Sequence, residues 1–252
     1  MHLIRYEKNG EARYGYLEGE MVGDVSGDIF GAFVRGELTT PLAEVQLLPP
    51  CQPSKIIAVA YNYAERLREL GLPPPTLPSI SLKATTSIIG PGQAVQLPPQ
   101  ARDVQFGAEL AVVIGRRARW ASPEDAAAHI LGYTCANDVL AMDVAEIDQA
   151  WTRASSFDTF CPLGPSIATH VDPTELKVTC VVNGVTRQMA SSLDMLFSVP
   201  QVIAFVSAAM TLLPGDVILM GTPAGCGPLG HGDVVEVKIE HVGALRNTVV
   251  RG

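Results

Sequence analysis

Charge is scarce in this chain: 17% of its 252 residues are Asp, Glu, Lys or Arg, against roughly 25% in an average soluble protein. The shortfall predicts a thick core or surface buried between subunits, and so an oligomer. Positive charge is scarcer still, with 18 Lys and Arg facing 26 Asp and Glu for a net charge of −8, and no basic block is longer than Arg116-Arg117. That balance excludes the electrostatic footprint of a nucleic-acid binder and of a surface drawn to anionic lipid. The most apolar stretch, Val199 to Leu213, is broken by Pro200, Gln201 and Ser207 and falls short of the ~20 residues that span a bilayer. Met1 to Tyr6 holds no basic region followed by an apolar one, so no secretory signal is read. Cys51, Cys135, Cys161, Cys180 and Cys226 form no Cys-x-x-Cys pair, and no histidine stands at zinc-ligand spacing. Free buried thiols in a reducing cytoplasm are expected. Nucleophile elbow, Walker loop and H-E-x-x-H are all missing.

What is present is a globular composition, 47% apolar, in a chain long enough to bury roughly 70–75% of its unfolded surface. Leu3–Tyr6, Tyr14–Leu17 and Met21–Val25 read as short strands joined by turns. Pro49, Pro50 and Pro53 disfavour helix and central strand alike, which places a boundary between a small β-rich unit over 1–52 and a larger domain over 53–252. The apolar run Lys55–Ala60 predicts a strand buried on both faces, followed by a short helix over 62–70 and a proline-rich loop suited to a lid. Glu109–Ile114 predicts a further strand. Ser122-Pro123-Glu124-Asp125 has the cap, first-turn proline and early acids of a helix running to about Leu131. Asn183-Gly184 between Lys177–Val182 and Val185–Gln188 predicts a hairpin. Ser198–Leu213 reads as a helix, and Asp233–Glu240 alternates like a strand with one wet face. Strands outnumber helices about two to one in this reading, an α+β, β-rich class.

Gly225-Cys226-Gly227-Pro228-Leu229-Gly230 matches the dinucleotide fingerprint in letters only. The fingerprint works by aiming a helix N-terminus at a pyrophosphate, and here an alternating strand follows instead. The five histidines fall at segment ends or turns, which argues against a histidine-centred hydrolase.

Several segments together resemble the fumarylacetoacetate hydrolase family: Lys55–Glu69, Ser81–Gly92, Ala108–Gly115, Gly132–Val139, Phe157–Pro165, Val182–Gly184 and Pro214–Gly225. Their order covers nearly everything from residue 53 onward. The resemblance implies a β-roll-like catalytic domain, usually in a homodimer. It implies hydrolysis, decarboxylation or isomerisation of small 2-oxo acids and acylpyruvates with Mg²⁺ or Mn²⁺. A hard cation suits that chemistry because it chelates the dicarbonyl oxygens and holds the developing enolate. The family's ligands are a Glu-x-Glu on a strand and an aspartate from an Asn-Asp segment.

Glu109 matches the second glutamate and Asp138 the aspartate, but the first glutamate position is Gly107. Metal binding by Glu109 and Asp138 is therefore expected to be weak or lost, unless Asp103, Asp143 or Glu146 helps. On the lid helix the family pairs a histidine with a glutamate to activate water; Glu69 remains, while Arg66 takes the histidine position and cannot act as a base. Ser155 stands where a lysine is expected and Met142 where an arginine is, and Phe106 and Leu140 replace more polar residues. Drift would scatter such changes; these gather at the expected pocket. The candidate catalytic residues are thus Glu69, Lys83, Glu109 and Asp138. Those expected around the substrate are Tyr61, Arg66, Phe106, Leu140, Met142, Ser155, Gln188 and Thr222. Glu109 and Asp138 read either as an acid–base pair or as remnants held by hydrogen bonds. Lys83 reads either as a solvated loop residue or as a base or amine nucleophile in a dry pocket.

Three functions stay open from sequence. The first is acid–base chemistry without a metal (elimination, cyclisation, isomerisation or proton transfer) on a less charged carbonyl compound. The second is family-type Mg²⁺- or Mn²⁺-dependent chemistry on small 2-oxo acids. The third is a ligand-binding protein without catalysis.

Overall fold

Strand Ala108–Ile114 is buried along its whole length, and period two sends its side chains into two different cores. Leu110, Val112 and Ile114 join the larger one, between the two main sheets, while Ala111 and Val113 join a smaller one on the other face. Each full burial of a Val, Leu or Ile is worth about 1.5–3 kcal/mol, so this strand is anchored from both sides. The computed structural model describes all 252 residues.

A 12-stranded sheet runs in the order Phe33–Pro41, Met21–Gly27, Glu11–Glu18, His2–Lys8, Cys161–Ala168, Ile130–Asn137, Ala108–Ile114, Val217–Leu219, Ile56–Ala60 and Ser79–Lys83, with two short strands beside this path. A five-stranded sheet, Val185–Ser191, Lys177–Val182, Val234–Ile239, Gly243–Arg251 and Ala94–Leu97, packs across it. In Val234–Ile239 the core takes Val235, Val237 and Ile239, the alternation that the sequence predicts. The first four strands form an antiparallel meander, joined to the rest of the large sheet by His2 opposite Ala168 and Leu3 opposite Ile167.

Four α-helices complete the fold: α1 (Ala64–Leu70), α2 (Met142–Asp148), α3 (Trp151–Ser155) and α4 (Val199–Ala209). None is long and apolar enough to cross a membrane. With 19 strands the class is the β-rich α+β expected, although strands outnumber α-helices by far more than two to one. Pairs such as Val104–Gln105 with Leu140–Ala141 are too short to carry a periodic signal.

Two helix expectations need correction. Over 122–131 only a 3-10 turn forms, Ala126–His129, and Ile130 already pairs with Ile114. Ser122 does cap locally, accepting from Asp125 N–H at 3.3 Å, but sheet pairing of the following apolar residues overrides helix propensity. The helix expected over 198–213 stops at Ala209, because Leu212 exchanges backbone hydrogen bonds with Ala118. Gly225–Gly230 leads through a turn into Val234–Ile239 with no helix after it.

An ion pair between a half-buried lysine and a buried aspartate fastens the strand Ile56–Ala60 to its parallel neighbour Val217–Leu219. Asp216 is fully buried, pairs with Lys55 Nζ, and accepts from Ser54 N–H and Oγ–H, Lys55 N–H and Leu213 N–H.

Candidate active site

The register of the central strands assembles the acidic pole. Ala108 lies opposite Asn137, which sets Gly107 beside Asp138, whose N–H donates to Gly107 O at 2.7 Å. Asn137 Oδ1 accepts from Gly107 N–H at 3.0 Å. Glu109, two residues on from Gly107, therefore projects to the same side. Glu109 and Asp138 line one cavity of about 200 Å³.

The two carboxyls sit in unlike surroundings. Asp138 Oδ1 accepts from Lys83 Nζ, and the lysine side chain has no exposed surface. Glu109 Oε2 accepts from Gly221 N–H at 2.7 Å. Burial raises the Glu109 carboxyl well above its ordinary value, with the charge of Asp138 adding; the Gly221 N–H and Lys83 oppose the shift without cancelling it. Asp138 Oδ2 and Glu109 Oε1 receive no hydrogen bond from the protein.

Apolar groups make most of the remaining wall: eleven of the nineteen lining residues are hydrophobic. Tyr61, at φ 61 in the left-handed region, turns the chain out of strand Ile56–Ala60. That conformation is costly for a bulky residue, and neighbouring Asn62 fixes it through bonds to Phe197 N–H, Phe197 O and Met220 O. Tyr61 meets Trp151 edge-on, with ring centroids 6.0 Å apart. Phe106, Leu140 and Met142 add to this wall, and Leu70 and Leu72 border it from the end of α1. Gly71 between them stops α1 in the left-handed conformation, so the chain reverses there.

Of the residues expected around the substrate, Tyr61, Arg66, Phe106, Leu140, Met142, Ser155 and Thr222 do line the cavity. Gln188 does not. It is buried behind the wall, where its Oε1 accepts from Ala108 N–H and its Nε2 donates to Thr222 Oγ1 and Pro223 O. Glu69 also stands outside the lining residues: its carboxylate is held by Arg66 and by Gly225 N–H. Lys83 is neither solvated nor on a loop; it ends strand Ser79–Lys83, and its ammonium lies behind Asp138 rather than in the cavity wall. No histidine lines the cavity. Sequence reasoning missed Trp151, Leu70, Leu72, Gln105 and Cys226 among others; Leu70, Gln105 and Cys226 directly adjoin segments that the sequence did single out, while Trp151 comes from a helix with no local signature of a site.

The donor set does not fit the three-carboxylate cation site that the sequence resemblance implies. Position 107 offers no side chain, and a Cβ built there would lie 3.1 Å from Asp138 O and 3.2 Å from Thr222 Cβ, a tight slot. Asp103 and Asp143 are engaged elsewhere, Asp103 by Gln105 Nε2 and Asp143 by the Arg102 and Asp103 N–H groups, and neither they nor Glu146 lines the cavity. Nowhere in the chain do three His, Cys, Asp or Glu side chains cluster at metal-binding spacing.

Residues 55–250 match the fumarylacetoacetate hydrolase C-terminal family, and residues 1–50 match the Rv2993c-like N-terminal family. An uncharacterized protein of Archaeoglobus fulgidus is 49% identical over 99% of this chain and 96% of its own length. The human mitochondrial oxaloacetate tautomerase FAHD2A is 41% identical, over 83% of this chain and 71% of its own. Among solved structures, the 2-hydroxyhepta-2,4-diene-1,7-dioate isomerase of Mycobacterium marinum superposes with a TM-score of 0.93 at 41% identity, covering 100% of this chain and 98% of that one. The maleylpyruvate hydrolase of Sphingobium sp. SYK-6, solved with manganese(II) and pyruvate, gives a TM-score of 0.83 at 31% identity with both chains fully covered. With most of its length matched and whole-chain likeness to isomerase and hydrolase structures, the chain belongs to the fumarylacetoacetate hydrolase family.

Proposed function

We propose that this chain is an enzyme that moves a proton on a carbonyl compound, an isomerisation of the keto–enol kind, without a metal ion. The observation that carries this reading is the placement of two carboxyl groups with unlike partners in the wall of one largely apolar cavity, beside a position 107 that has no carboxylate. Asp138, held by Lys83, is the base that takes the proton next to the carbonyl. Glu109 is the acid that hands a proton to the carbonyl oxygen, so the enol forms neutral and no free enolate has to be stabilised. Reversal through the other face or at the next carbon completes the isomerisation. Groups in such unlike environments divide acid and base roles, and general acid–base catalysis of this kind is worth about 10²–10⁴-fold. Relatives that are a tautomerase and an isomerase support the reaction class.

The metal-dependent reading draws on the manganese of the maleylpyruvate hydrolase and on the retained Glu109 and Asp138. One experiment separates the two. Deuterium uptake from D2O into a panel of ketones and 2-oxo acids is followed by NMR, with EDTA or with Mn²⁺. The parent is set beside Asp138→Asn, Glu109→Gln and the combined Gly107→Glu, Ser155→Lys, Arg66→His variant. Expected are EDTA-resistant exchange by the parent, its loss in both single variants, and Mn²⁺-dependent turnover of oxaloacetate or acylpyruvates only in the triple variant. Exchange by the parent that needs Mn²⁺, or equal metal-dependent turnover in parent and triple variant, overturns the proposal. The low charge further supports a homodimer, for which light scattering should return twice the 26.8 kDa chain mass.

A further inference from the structure

One hydroxyl of the cavity-lining residues is both buried and without a partner. Ser155, the last residue of α3, is 1% exposed, and its hydroxyl is buried without any hydrogen bond to the protein. A serine in a helix commonly returns its proton to the carbonyl one turn back; here it does not. Leaving such a group unmet carries a desolvation cost; the hydroxyl has almost no accessible surface where it stands, so a ligand oxygen removes that cost by drawing it round toward the cavity.

The wall also says what the ligand is not. Arg66 is the single Lys or Arg among the lining residues, and its guanidinium is engaged by Glu69. A carboxylate entering the cavity would meet Glu109 and Asp138 and, for a cation, only Arg66, whose charge Glu69 already offsets; an anion without a matching charge is costly to bury. Much of the lining is aromatic and aliphatic: Tyr61 and Trp151 edge to face, with Phe106, Leu140 and Met142 also in the wall. Flat apolar groups gain both area and ring contacts against such a surface.

We infer that the pocket takes an uncharged ketone bearing an aryl group, its ring against Tyr61 and Trp151 and its carbonyl oxygen accepting the Ser155 hydroxyl proton. This names the substrate class for the site under Proposed function and rests on that reading of the pocket, but its test is a binding measurement that needs no turnover. Trp151 lines the cavity, and Trp120, the one other tryptophan, is 71% exposed and outside it, so ligand quenching of the buried component of fluorescence reports occupancy. Three probes of nearly one shape are used: acetophenone, its hydrocarbon counterpart α-methylstyrene, and the anion benzoylformate. Acetophenone should bind the parent tighter than either of the others. In Ser155→Ala its advantage over α-methylstyrene should shrink roughly 3- to 10-fold, the worth of one hydrogen bond, while α-methylstyrene binds as before. In Ser155→Lys the order of acetophenone and benzoylformate should reverse. An acetophenone preference that survives intact in Ser155→Ala, tighter benzoylformate binding by the parent, or no acetophenone binding up to its solubility overturns the inference. Failed exchange chemistry with the binding pattern intact would count against the catalytic reading alone.

Discussion

Replacing Glu109 by glutamine removes the ability to ionise while keeping size and an acceptor oxygen for the Gly221 N–H. The folded protein holds this carboxyl protonated well past the ordinary glutamate value of 4.5, because the side chain is buried and faces Asp138. Below that value both folded and unfolded chains carry the proton, and the parent has its full stability. As pH rises above it the unfolded chain releases the proton and the folded one does not, so the parent loses stability until the folded-state value is passed. Linkage sets the slope at about 1.4 kcal/mol per pH unit within that window. For a chain of this size 1 kcal/mol moves Tm by roughly 2–4 °C, so the parent should fall roughly 3–5 °C per pH unit relative to Glu109→Gln. Differential scanning fluorimetry on both proteins, as pH is raised from just above the ordinary glutamate value, reads this as a gap that opens with pH in favour of the variant. Parallel Tm curves would refute the assignment of a retained proton to Glu109, whatever the enzyme's activity.

Two further outcomes test the frame. Asp216→Ala strips Lys55 of its partner and leaves four other donors unmet; the loss should be about 3–5 kcal/mol, seen as a fall in Tm of roughly 10 °C, and a shift within a degree or two would contradict the structural weight given to this pair. Burial pushes the Cys51, Cys135, Cys161 and Cys180 thiols up to about 12 and that of cavity-lining Cys226 up to about 11. Native protein at about pH 8 should therefore resist iodoacetamide, with Cys226 the first to label; rapid modification of Cys161, beside the acidic pole, would show that the site opens widely in solution.

The elements legible in the sequence are those whose signal is local. Asn183-Gly184 dictates its hairpin, the apolar run from Glu109 declares a strand, and Val235, Val237 and Ile239 declare an inner face. Strand Ile130–Asn137 was hidden behind the helix-start signals at Ser122 to Asp125, because only its pairing with Ala108–Ile114 decides its conformation. The site shows the same division. The resemblance marked Glu109 and Asp138 as neighbours, but nothing in the sequence says that Lys83 crosses behind Asp138, that Gln188 reaches from the other sheet to tie Ala108 to Thr222, or that the Ser155 hydroxyl goes unmet. Those are properties of packing between segments remote in sequence, and periodicity carries no information about them.

The doubly anchored strand Ala108–Ile114 has a consequence for how this protein can change. Each of its side chains from Leu110 onward belongs to one core or the other, so a substitution there is charged against the stability of the whole sheet. Arg66, Phe106, Gly107, Leu140, Met142 and Ser155 all stand outside the 12-stranded sheet, on short helices, the two-stranded pair and the turn that precedes the central strand. Those six positions therefore stand off the sheet that carries the fold, but not all are free of it: Phe106 packs in the larger core and position 107 has little room for a side chain. Changes at Arg66, Leu140 or Met142 should leave the sheet intact, whereas changes at Phe106, Gly107 or Ser155 alter the packing together with the pocket.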